Sequence, residues 1–280
     1  MQKLWKRNVL IVFTWISLLV LIGYTLHPVP QMEMQGMISV AHRGASGFAP
    51  ENTQSAFQIA LSMGADILEC DIHMTKDGEL VIMHDDKVDR TTNGIGYIRD
   101  FTLEELKELD VGGNYHASFA GEQISTLREF LDEFYGQAGL LIELKKPVMY
   151  PGIEEKVAAV LTDYKDLRSV VIQSFDIESM RKMHNLLPEL EIAILISPSV
   201  RYLSIAKIED MTSFATYINF NVMNVDKRMV NRVHKHGGKV LVWSTKNRFW
   251  VEKAFQIGAD GIITDFSIWP IGDQVQLVVD

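Results

Sequence analysis

The sequence predicts an α/β fold: a (β/α)8 TIM barrel with a small insertion after the second strand, preceded by one N-terminal transmembrane helix. Eight short apolar runs recur along the 280-residue chain, helix-like segments separate most of them, and a long uncharged apolar stretch lies near the N-terminus. Continuous runs of Val, Ile and Leu are typical of parallel strands that are buried on both faces. The alternation of strands and helices indicates α/β architecture, and eight strands favour a closed barrel over an open doubly wound sheet.

The first 37 residues are expected to attach the chain to a membrane. Residues 1–8 form a cytoplasmic basic segment, residues 9–26 a transmembrane anchor, and residues 27–37 a short tether. At about 1.5 Å per residue, a helix over the anchor would extend about 27 Å, close to the roughly 30 Å thickness of a bilayer core. The basic segment predicts a cytoplasmic N-terminus and an extracytoplasmic barrel, in a single-pass protein of the cell membrane. A cleaved signal peptide and a buried globular helix are the alternatives.

Residues 38–280 supply the barrel, and their number is near the roughly 250 typical of this fold. The strands are predicted at Ile38–Ala41, Ile67–Ile72, Leu140–Leu144, Val170–Ser174, Ile192–Ile196, Tyr217–Phe220, Val240–Ser244 and Gly261–Thr264. Apolar residues at helical spacing predict helices at Thr53–Met63, Ser125–Phe134, Ile153–Tyr164, Ile177–Leu187, Arg228–His236 and Asn247–Ile257. An insertion of about residues 85–125 follows a hairpin-like segment, Glu79–Met83, and includes a short helix at Leu103–Leu109. On the side of the barrel where strands lead into helices, this insertion would form part of a substrate rim.

Charge and cysteine content narrow the range of functions. The formal net charge of −9 at pH 7 argues against a nucleic-acid partner, which would require clustered Lys and Arg. A phosphate-containing substrate is compatible with this charge, because a bound divalent cation reverses the local field. Cys70 is the single cysteine, so the chain forms no intrachain disulfide. Its side chain is expected to face away from those of Glu69 and Asp71, because successive residues of a strand alternate in direction.

Acidic residues follow or interrupt two of the predicted strands. Glu69 and Asp71 are two positions apart, so their side chains share one face of the strand and can point together into the mouth of the barrel, where Glu143 from the next strand can approach them. Three buried carboxylates require protons, ion pairing or a bound cation. Oxygen ligands favour Mg²⁺ or Ca²⁺ over a structural Zn²⁺. The alternative is a structural ion pair between one carboxylate and Lys145.

Two histidines lie at predicted strand ends. His42 and His84 are either structural or a proton-transfer pair, and the reference pKa of about 6.5 suits histidine to both acid and base roles. Arg43 presents a charged fork for phosphate oxygens, or forms a salt bridge at the rim. Glu51 precedes a helix start with Asn52 or Thr53 as cap, and is expected to contribute a hydrogen bond to the site. Asp265, after the last strand, is interpreted as a turn or cap residue.

The ordered motifs HRG, PENT, ECDIHMTKDGELVIMHD, RTT, IELK, QSF, W and TDF, between His42 and Phe266, resemble those of the glycerophosphodiester phosphodiesterase family. The resemblance implies a TIM barrel with a small insertion, one divalent cation held by Glu69, Asp71 and Glu143, and catalytic residues His42 and His84. It further implies the phosphate- or substrate-binding residues Arg43, Lys145, Gln173 and Trp243 and the supporting residues Glu51 and His73. The chain reads WSTKN and TDFSIWP where the family usually has WTVN and TDFP, so the rim of the site differs.

The expected function is metal-dependent hydrolysis of glycerophosphodiesters to glycerol 3-phosphate and an alcohol, with His42 and His84 as the acid–base pair. Membrane attachment would bring a lipid headgroup or a teichoic-acid-like glycerophosphate polymer within reach as substrate. The alternatives are a sphingomyelinase D-like or lysophospholipase D activity on lipid headgroups, a Schiff-base lyase that uses Lys145, and a membrane-tethered binding protein without turnover. Loss of a histidine or a carboxylate would favour the binding protein, and none of them is lost.

Overall fold

Eight parallel strands close into a barrel, as the sequence predicts. The computed structural model describes residues 36–200, 202–243, 245–266, 269–271 and 274–276. The strands are β1 Ile38–Ala41, β2 Ile67–Met74, β3 Leu80–Ile82, β4 Gly139–Leu144, β5 Val170–Ser174, β6 Glu191–Ile196, β7 Tyr217–Asn221, β8 Leu241–Trp243, β9 Gly261–Thr264, β10 Trp269–Ile271 and β11 Gln274–Gln276. The hydrogen-bonded order is β1, β9, β8, β7, β6, β5, β4 and β2, and β1 also pairs with β2, which closes the ring. The barrel strands agree with the predicted ones to within two residues at each end.

Side-chain caps decide where several helices begin. The helices are α1 Gln54–Ser62, α2 Leu103–Lys107, α3 Leu127–Phe134, α4 Ile153–Leu161, α5 Ile177–Leu186, α6 Ile205–Thr212, α7 Lys227–Lys235 and α8 Arg248–Ile257. Thr126 and Glu129 form a capping box, so α3 begins two residues after the predicted start at Ser125. Helix α4 ends three residues before the predicted Tyr164. Helix α6, which Ser204 caps, was not predicted.

One residue from each barrel strand contributes to an apolar layer in the barrel interior. The layer contains Val40, Ile67, Leu141, Val171, Ala193, Tyr217, Leu241 and Ile263. Because alternate residues of a strand share a face, the residue two positions further along each strand also points inward. These next positions are His42, Glu69, Glu143, Gln173, Leu195, Asn219, Trp243 and Asp265. Apart from Leu195, this next layer toward the carboxyl ends of the strands therefore consists of polar and aromatic side chains.

The outer face of the barrel packs against the helices. Leu68, Cys70 and Ile72 of β2 belong to a large apolar cluster that also contains Phe57 of α1 and Phe130 of α3. Cys70 is fully buried there, and burial raises the pKa of its thiol well above the ordinary value. Cys70 therefore behaves as a small apolar core residue, and the prediction that it faces away from the carboxylates is confirmed.

The segment after β2 has a small core of its own. Strand β3 pairs antiparallel with the end of β2, which confirms the predicted hairpin. The buried residues of this core are Val81, Met83, Val88, Ile98, Leu106, Val111 and Ile124. A capping box formed by Thr102 and Glu105 starts α2, which ends two residues before the predicted Leu109. The segment thus has a folded core of its own, and an ion pair between Arg90 and Glu51 connects it to the turn after β1.

The predicted anchor of residues 9–26, the basic segment 1–8 and most of the tether lie outside the described residues. Among the helices that the structure describes, none combines the length and the apolar character needed to cross a bilayer.

Candidate active site

Three carboxylates converge at the carboxyl ends of β2 and β4. Asp71 and Glu143 are direct partners in the register between these strands, and Glu69 lies two residues before Asp71 on the same face. One ligand oxygen from each of the three lies within 4.8 Å of the other two, and all three residues are buried. This end of a parallel barrel is where barrel enzymes carry their catalytic groups.

Two cations face these carboxylates. Lys145 Nζ lies 2.8 Å from Glu143 Oε1 and 3.4 Å from Asp71 Oδ1. Arg43 Nε lies 3.3 Å from Asp71 Oδ2. The ion pair expected as an alternative to metal binding is therefore present, but two positive charges do not balance three buried carboxylates. In addition, the buried Asp71 Oδ1 accepts no hydrogen bond from the described residues. The oxygen donors and the excess negative charge fit a hard divalent cation.

The charge imbalance is reflected in the pKa values of the carboxyls. Burial, followed by the charges of Asp71 and Glu143, raises the pKa of Glu69 well above its ordinary value. Burial also raises the pKa of Glu143 to about 7, although Lys145 opposes this shift. Burial alone would raise the pKa of Asp71, but the charges of Lys145 and Arg43 outweigh burial and lower it. Without a cation, the cluster therefore holds protons that a cation would displace.

The turn after β1 places hydrogen-bond donors against the cluster. Arg43 has φ 56°, a left-handed conformation that is uncommon for a residue other than glycine, and its backbone N–H donates to Glu69 Oε2 at 2.8 Å. Gly44 follows at φ 75°, where a Cβ would approach the α1 backbone to 2.6 Å. Asn52, also left-handed at φ 61°, donates from Nδ2 to Asp71 Oδ2 at 2.9 Å. The strained backbone is thus tied to the acidic cluster.

His42 is oriented by a carboxylate that follows the last barrel strand. Its Nδ1 lies 2.5 Å from Asp265 Oδ1, and the register that pairs Ala41 with Thr264 brings these next two residues side by side. Burial would raise the pKa of Asp265, but the hydrogen bond to His42 outweighs burial and lowers it. An ionised carboxylate only accepts hydrogen bonds, so Nδ1 of His42 carries the proton. In the neutral ring, Nε2 is therefore the basic nitrogen.

His84, which follows β3, is oriented in the same way. Its Nδ1 lies 2.7 Å from Asp85 Oδ1. A hydrogen bond from Arg90, together with the bond to His84, lowers the pKa of Asp85, so this carboxylate is also an acceptor. Burial lowers the pKa of His84 and favours the neutral imidazole near pH 7. Two imidazoles at the barrel mouth thus share one design, with Nδ1 bonded to a carboxylate and Nε2 as the basic nitrogen.

His73 lies behind His84. It is fully buried, with Nε2 3.1 Å from the His84 carbonyl oxygen and Nδ1 3.0 Å from the Tyr150 hydroxyl. Burial lowers the pKa of His73 to about 4, so the ring is neutral. Because a carbonyl only accepts, Nε2–H donates to His84 and Nδ1 accepts from the Tyr150 hydroxyl. His73 therefore supports the backbone of His84.

A chain of amides and an aromatic pair complete the mouth. Asn219 Nδ2 donates to Gln173 Oε1 at 3.2 Å, and Gln173 Nε2 donates to Glu69 Oε1 at 3.4 Å. This chain directs the amide nitrogen of Gln173 toward the acidic cluster. On the same rim, the rings of Trp243 and Phe175 pack edge to face with centroids 5.8 Å apart. They form an apolar wall beside the polar groups.

Glu51 connects the turn after β1 with the insertion. Its Oε1 accepts from Arg43 Nη1 at 2.9 Å. Both of its oxygens also accept from Arg90, each at 2.7 Å. Arg90 donates as well to Asp85, the partner of His84. Glu51 thus holds the guanidinium of Arg43 in place, and its supporting role in the reaction stays a prediction.

Several residues of the site were missed from the sequence. Asp265 lies two positions beyond the inward-facing Ile263, and that alternation was a signal for its position beside His42. Thr53, rather than Asn52, caps α1 by accepting from its backbone, which leaves Asn52 for the cluster. Arg90 is the first residue of the RTT motif, but it lies in an insertion without a periodic pattern, so the sequence did not indicate its contacts with Glu51 and Asp85.

The fold and the site together define a class of protein. A parallel barrel whose mouth joins an acidic cluster, two carboxylate-oriented imidazoles and a guanidinium is suited to hydrolysis of phosphate esters. A model of the glycerophosphoryl diester phosphodiesterase family matches residues 42–268. The chain belongs to this family.

Relatives and solved structures agree with this membership. A glycerophosphodiester phosphodiesterase of Caldanaerobacter subterraneus is 40% identical over 231 residues, which cover 81% of this chain and 93% of the relative. One of Bacillus subtilis is 35% identical over 245 residues, with 82% and 84% covered. The structure of a phosphodiesterase from Oleispira antarctica in complex with the product sn-glycerol-3-phosphate has a TM-score of 0.75 at 28% identity, with 82% of this chain and 93% of that chain covered. The chain is thus an enzyme of the glycerophosphodiester phosphodiesterase class, a phosphoric diester hydrolase.

Proposed function

We propose that this enzyme hydrolyses glycerophosphodiesters to sn-glycerol 3-phosphate and an alcohol, with His42 and His84 as the acid–base pair and one divalent cation in the acidic cluster. The observation that carries the proposal is the orientation of each imidazole by a carboxylate at the mouth where the three acidic side chains converge. Family membership supports the reaction class, and the relative solved with sn-glycerol-3-phosphate supports the product.

Glu69, Asp71 and Glu143 would hold the cation, and their oxygen donors suit Mg²⁺ or Ca²⁺. When bound, the cation would supply Lewis-acid stabilisation of the phosphate charge. Arg43 adds a guanidinium beside the cluster. Burial would lower the pKa of Arg43, but the charges of Asp71 and Glu51 outweigh burial and raise it, so Arg43 stays charged.

The two histidines carry out two proton transfers through Nε2. One neutral imidazole takes the proton of the attacking hydroxyl while the oxygen of that hydroxyl forms a bond to phosphorus. The other, protonated, gives its proton to the alcohol oxygen as the bond from that oxygen to phosphorus breaks. The attacking hydroxyl belongs either to water or to the glycerol carbon next to the ester. In the second case the alcohol leaves as a cyclic glycerol phosphate forms, and water then attacks the phosphorus and opens the ring to sn-glycerol 3-phosphate, with the two imidazoles in exchanged acid and base roles. A substrate analogue without that glycerol hydroxyl is hydrolysed only by the first route.

Lys145, Gln173 and Trp243 would line the substrate position. Burial alone would lower the pKa of Lys145, but the carboxylates of Asp71 and Glu143 outweigh burial and raise it. A protonated amine is not a nucleophile, so the site does not favour a Schiff-base lyase. Lys145 instead contributes charge, and Trp243 contributes an apolar surface for the glycerol carbons.

The test is release of sn-glycerol 3-phosphate from glycerophosphocholine by the purified protein, after chelation and with Mg²⁺ or Ca²⁺ added back. We expect activity to require the cation. We also expect His42→Ala and His84→Ala each to lower kcat by about 10²–10⁴-fold, the usual contribution of general acid–base catalysis. Unchanged hydrolysis in both variants would remove the histidines from the mechanism. Full activity after exhaustive chelation would remove the cation.

The location of the enzyme is part of the proposal. The uncharged residues 9–26 would hold the barrel at the outer surface of the cell membrane. Fractionation of cells that express the full chain, or a chain lacking residues 1–36, tests this: the full chain should sediment with membranes and the shortened chain should not. External protease should digest the barrel of intact spheroplasts, and protection of the barrel would contradict the orientation.

A membrane location would add candidate substrates but would not by itself define the substrate. A lipid headgroup or a teichoic-acid-like glycerophosphate polymer would lie within reach of a barrel anchored at the membrane. Rates on glycerophosphocholine, lysophosphatidylcholine and a polyglycerophosphate rank these substrates. Preference for the long-chain lipid would replace the proposed activity by a lysophospholipase D-like one.

A further inference from the structure

Arg90, in the insertion, bridges two carboxylates from different parts of the barrel mouth. Its Nε and Nη2 donate to Asp85 at 2.7 and 3.1 Å, and its Nη1 and Nη2 donate to Glu51 at 2.7 Å each. A guanidinium presents its donors in a rigid planar fork. Arg90 therefore fixes both the separation and the relative orientation of Asp85 and Glu51.

Each of these two carboxylates also forms a hydrogen bond with a residue of the proposed mechanism. Asp85 Oδ1 lies 2.7 Å from His84 Nδ1, and Glu51 Oε1 accepts from Arg43 Nη1 at 2.9 Å. One row of ionic hydrogen bonds thus runs from His84 through Asp85, Arg90 and Glu51 to Arg43. Its ends are a proton-transfer group and a phosphate-binding group, and its centre lies in the insertion.

We propose that Arg90 is a positioning residue that sets the proton-transfer imidazole of His84 and the phosphate-binding guanidinium of Arg43 relative to each other, so that the insertion completes the active site. This inference rests on the proposed function. Stability is not the reason for the arrangement, because the Arg90 side chain is 48% exposed and exposed ion pairs contribute little. Arg90 instead aligns His84 and Arg43, and this matters because small displacements of reacting groups lower the rate of catalysis strongly.

The first test compares variants of Arg90 with a matched control. Arg128 is 50% exposed and pairs with Asp163 at 2.7 Å on the outer, helical side of the barrel. We expect Arg90→Ala to lower kcat/KM for glycerophosphocholine by about 10–100-fold, as loss of a group that orients catalytic residues usually does. Arg90→Lys should lose nearly as much, because an ammonium has no fork to span two carboxylates. Arg128→Ala should have wild-type kinetics.

Rescue and double variants distinguish positioning from loss of folding. Low millimolar guanidinium chloride should restore part of the activity of Arg90→Ala, and equal sodium chloride should not. Asp85→Asn should mainly lower kcat, and Glu51→Gln should mainly raise KM, because they act on His84 and on Arg43. If Arg90 acts through them, Arg90→Ala costs less in either background than in the wild type.

The outcomes separate this inference from the proposed function. Wild-type kinetics in Arg90→Ala and Arg90→Lys, or losses that multiply fully with both Asp85→Asn and Glu51→Gln, would overturn the positioning role alone. Arg90→Lys keeps the charge and decides the question if Arg90→Ala does not fold. A wild-type protein that releases no glycerol 3-phosphate contradicts the proposed function, and this inference with it.

Discussion

Replacing Asp265 by Asn tests the orientation of His42 with a change of one atom. Asp265 Oδ1 lies 2.5 Å from His42 Nδ1, whereas Oδ2 lies 3.7 Å from Lys246 Nζ. In the variant, the side-chain amide is expected to orient its oxygen toward Lys246, because the opposite orientation would place its NH2 group next to the ammonium group of Lys246. The amide N–H group then faces His42 Nδ1, and the neutral ring must carry its proton on Nε2. That tautomer accepts no proton at Nε2, so we expect kcat to fall by about 10²–10⁴-fold, or about 3–5 kcal/mol.

The assay measures kcat and KM for release of sn-glycerol 3-phosphate near neutral pH with the cation present. KM should change little, because Asp265 acts on a proton transfer. The matched control is Asp260→Asn: Asp260 pairs with His234 at 2.8 Å and lies just before β9, at the opposite end of the barrel. This control should lower the melting temperature, since Asp260 also accepts from the Val240 backbone, but leave kcat intact. A folded Asp265→Asn variant with the kcat of the wild type would refute the reasoning.

The barrel is readable from the sequence because each parallel strand carries its own signal. Val170–Ser174 is buried on both faces, so its apolar run needs no partner to be recognised. Helix α6 is hard to predict from the sequence because the face that it packs on the core has little apolar area. Its buried residues are Ile208 and Met211. A continuous apolar run thus predicts a buried strand in this chain more reliably than apolar spacing predicts a short helix of mixed polar and apolar composition.

The acidic cluster can also be predicted from the sequence. The contacts that orient the histidines are harder to predict. The two-residue period of a strand puts Glu69 and Asp71 on one face, and parallel neighbours bring Glu143 to the same edge. The hydrogen bond from Arg90 to Glu51 joins residues 39 positions apart, and the loop that brings them together has no sequence periodicity from which the contact could be predicted. Asn52 similarly departs from its cap preference because its left-handed backbone directs the amide to the cluster. Tertiary contacts select such loop conformations.

The remaining predictions concern the barrel interior. Glu69→Gln should weaken Mg²⁺ or Ca²⁺ binding by about tenfold or more in titration calorimetry, and unchanged affinity would contradict its role as a ligand. Cys70→Ser should lower the free energy of unfolding in urea by about 1–3 kcal/mol without changing kcat, because it buries a hydroxyl in an apolar cluster. Cation affinity should rise with pH, because burial raises the pKa of Glu143 to about 7 and a cation binds the ionised form. The ionised fraction of a group with that pKa rises about fivefold from pH 6 to pH 7, so the Kd should fall by at least this factor. The released proton should make the calorimetric heat depend on the ionisation enthalpy of the buffer. A Kd that stays constant over this interval would mean that the carboxylates are already ionised before the cation arrives.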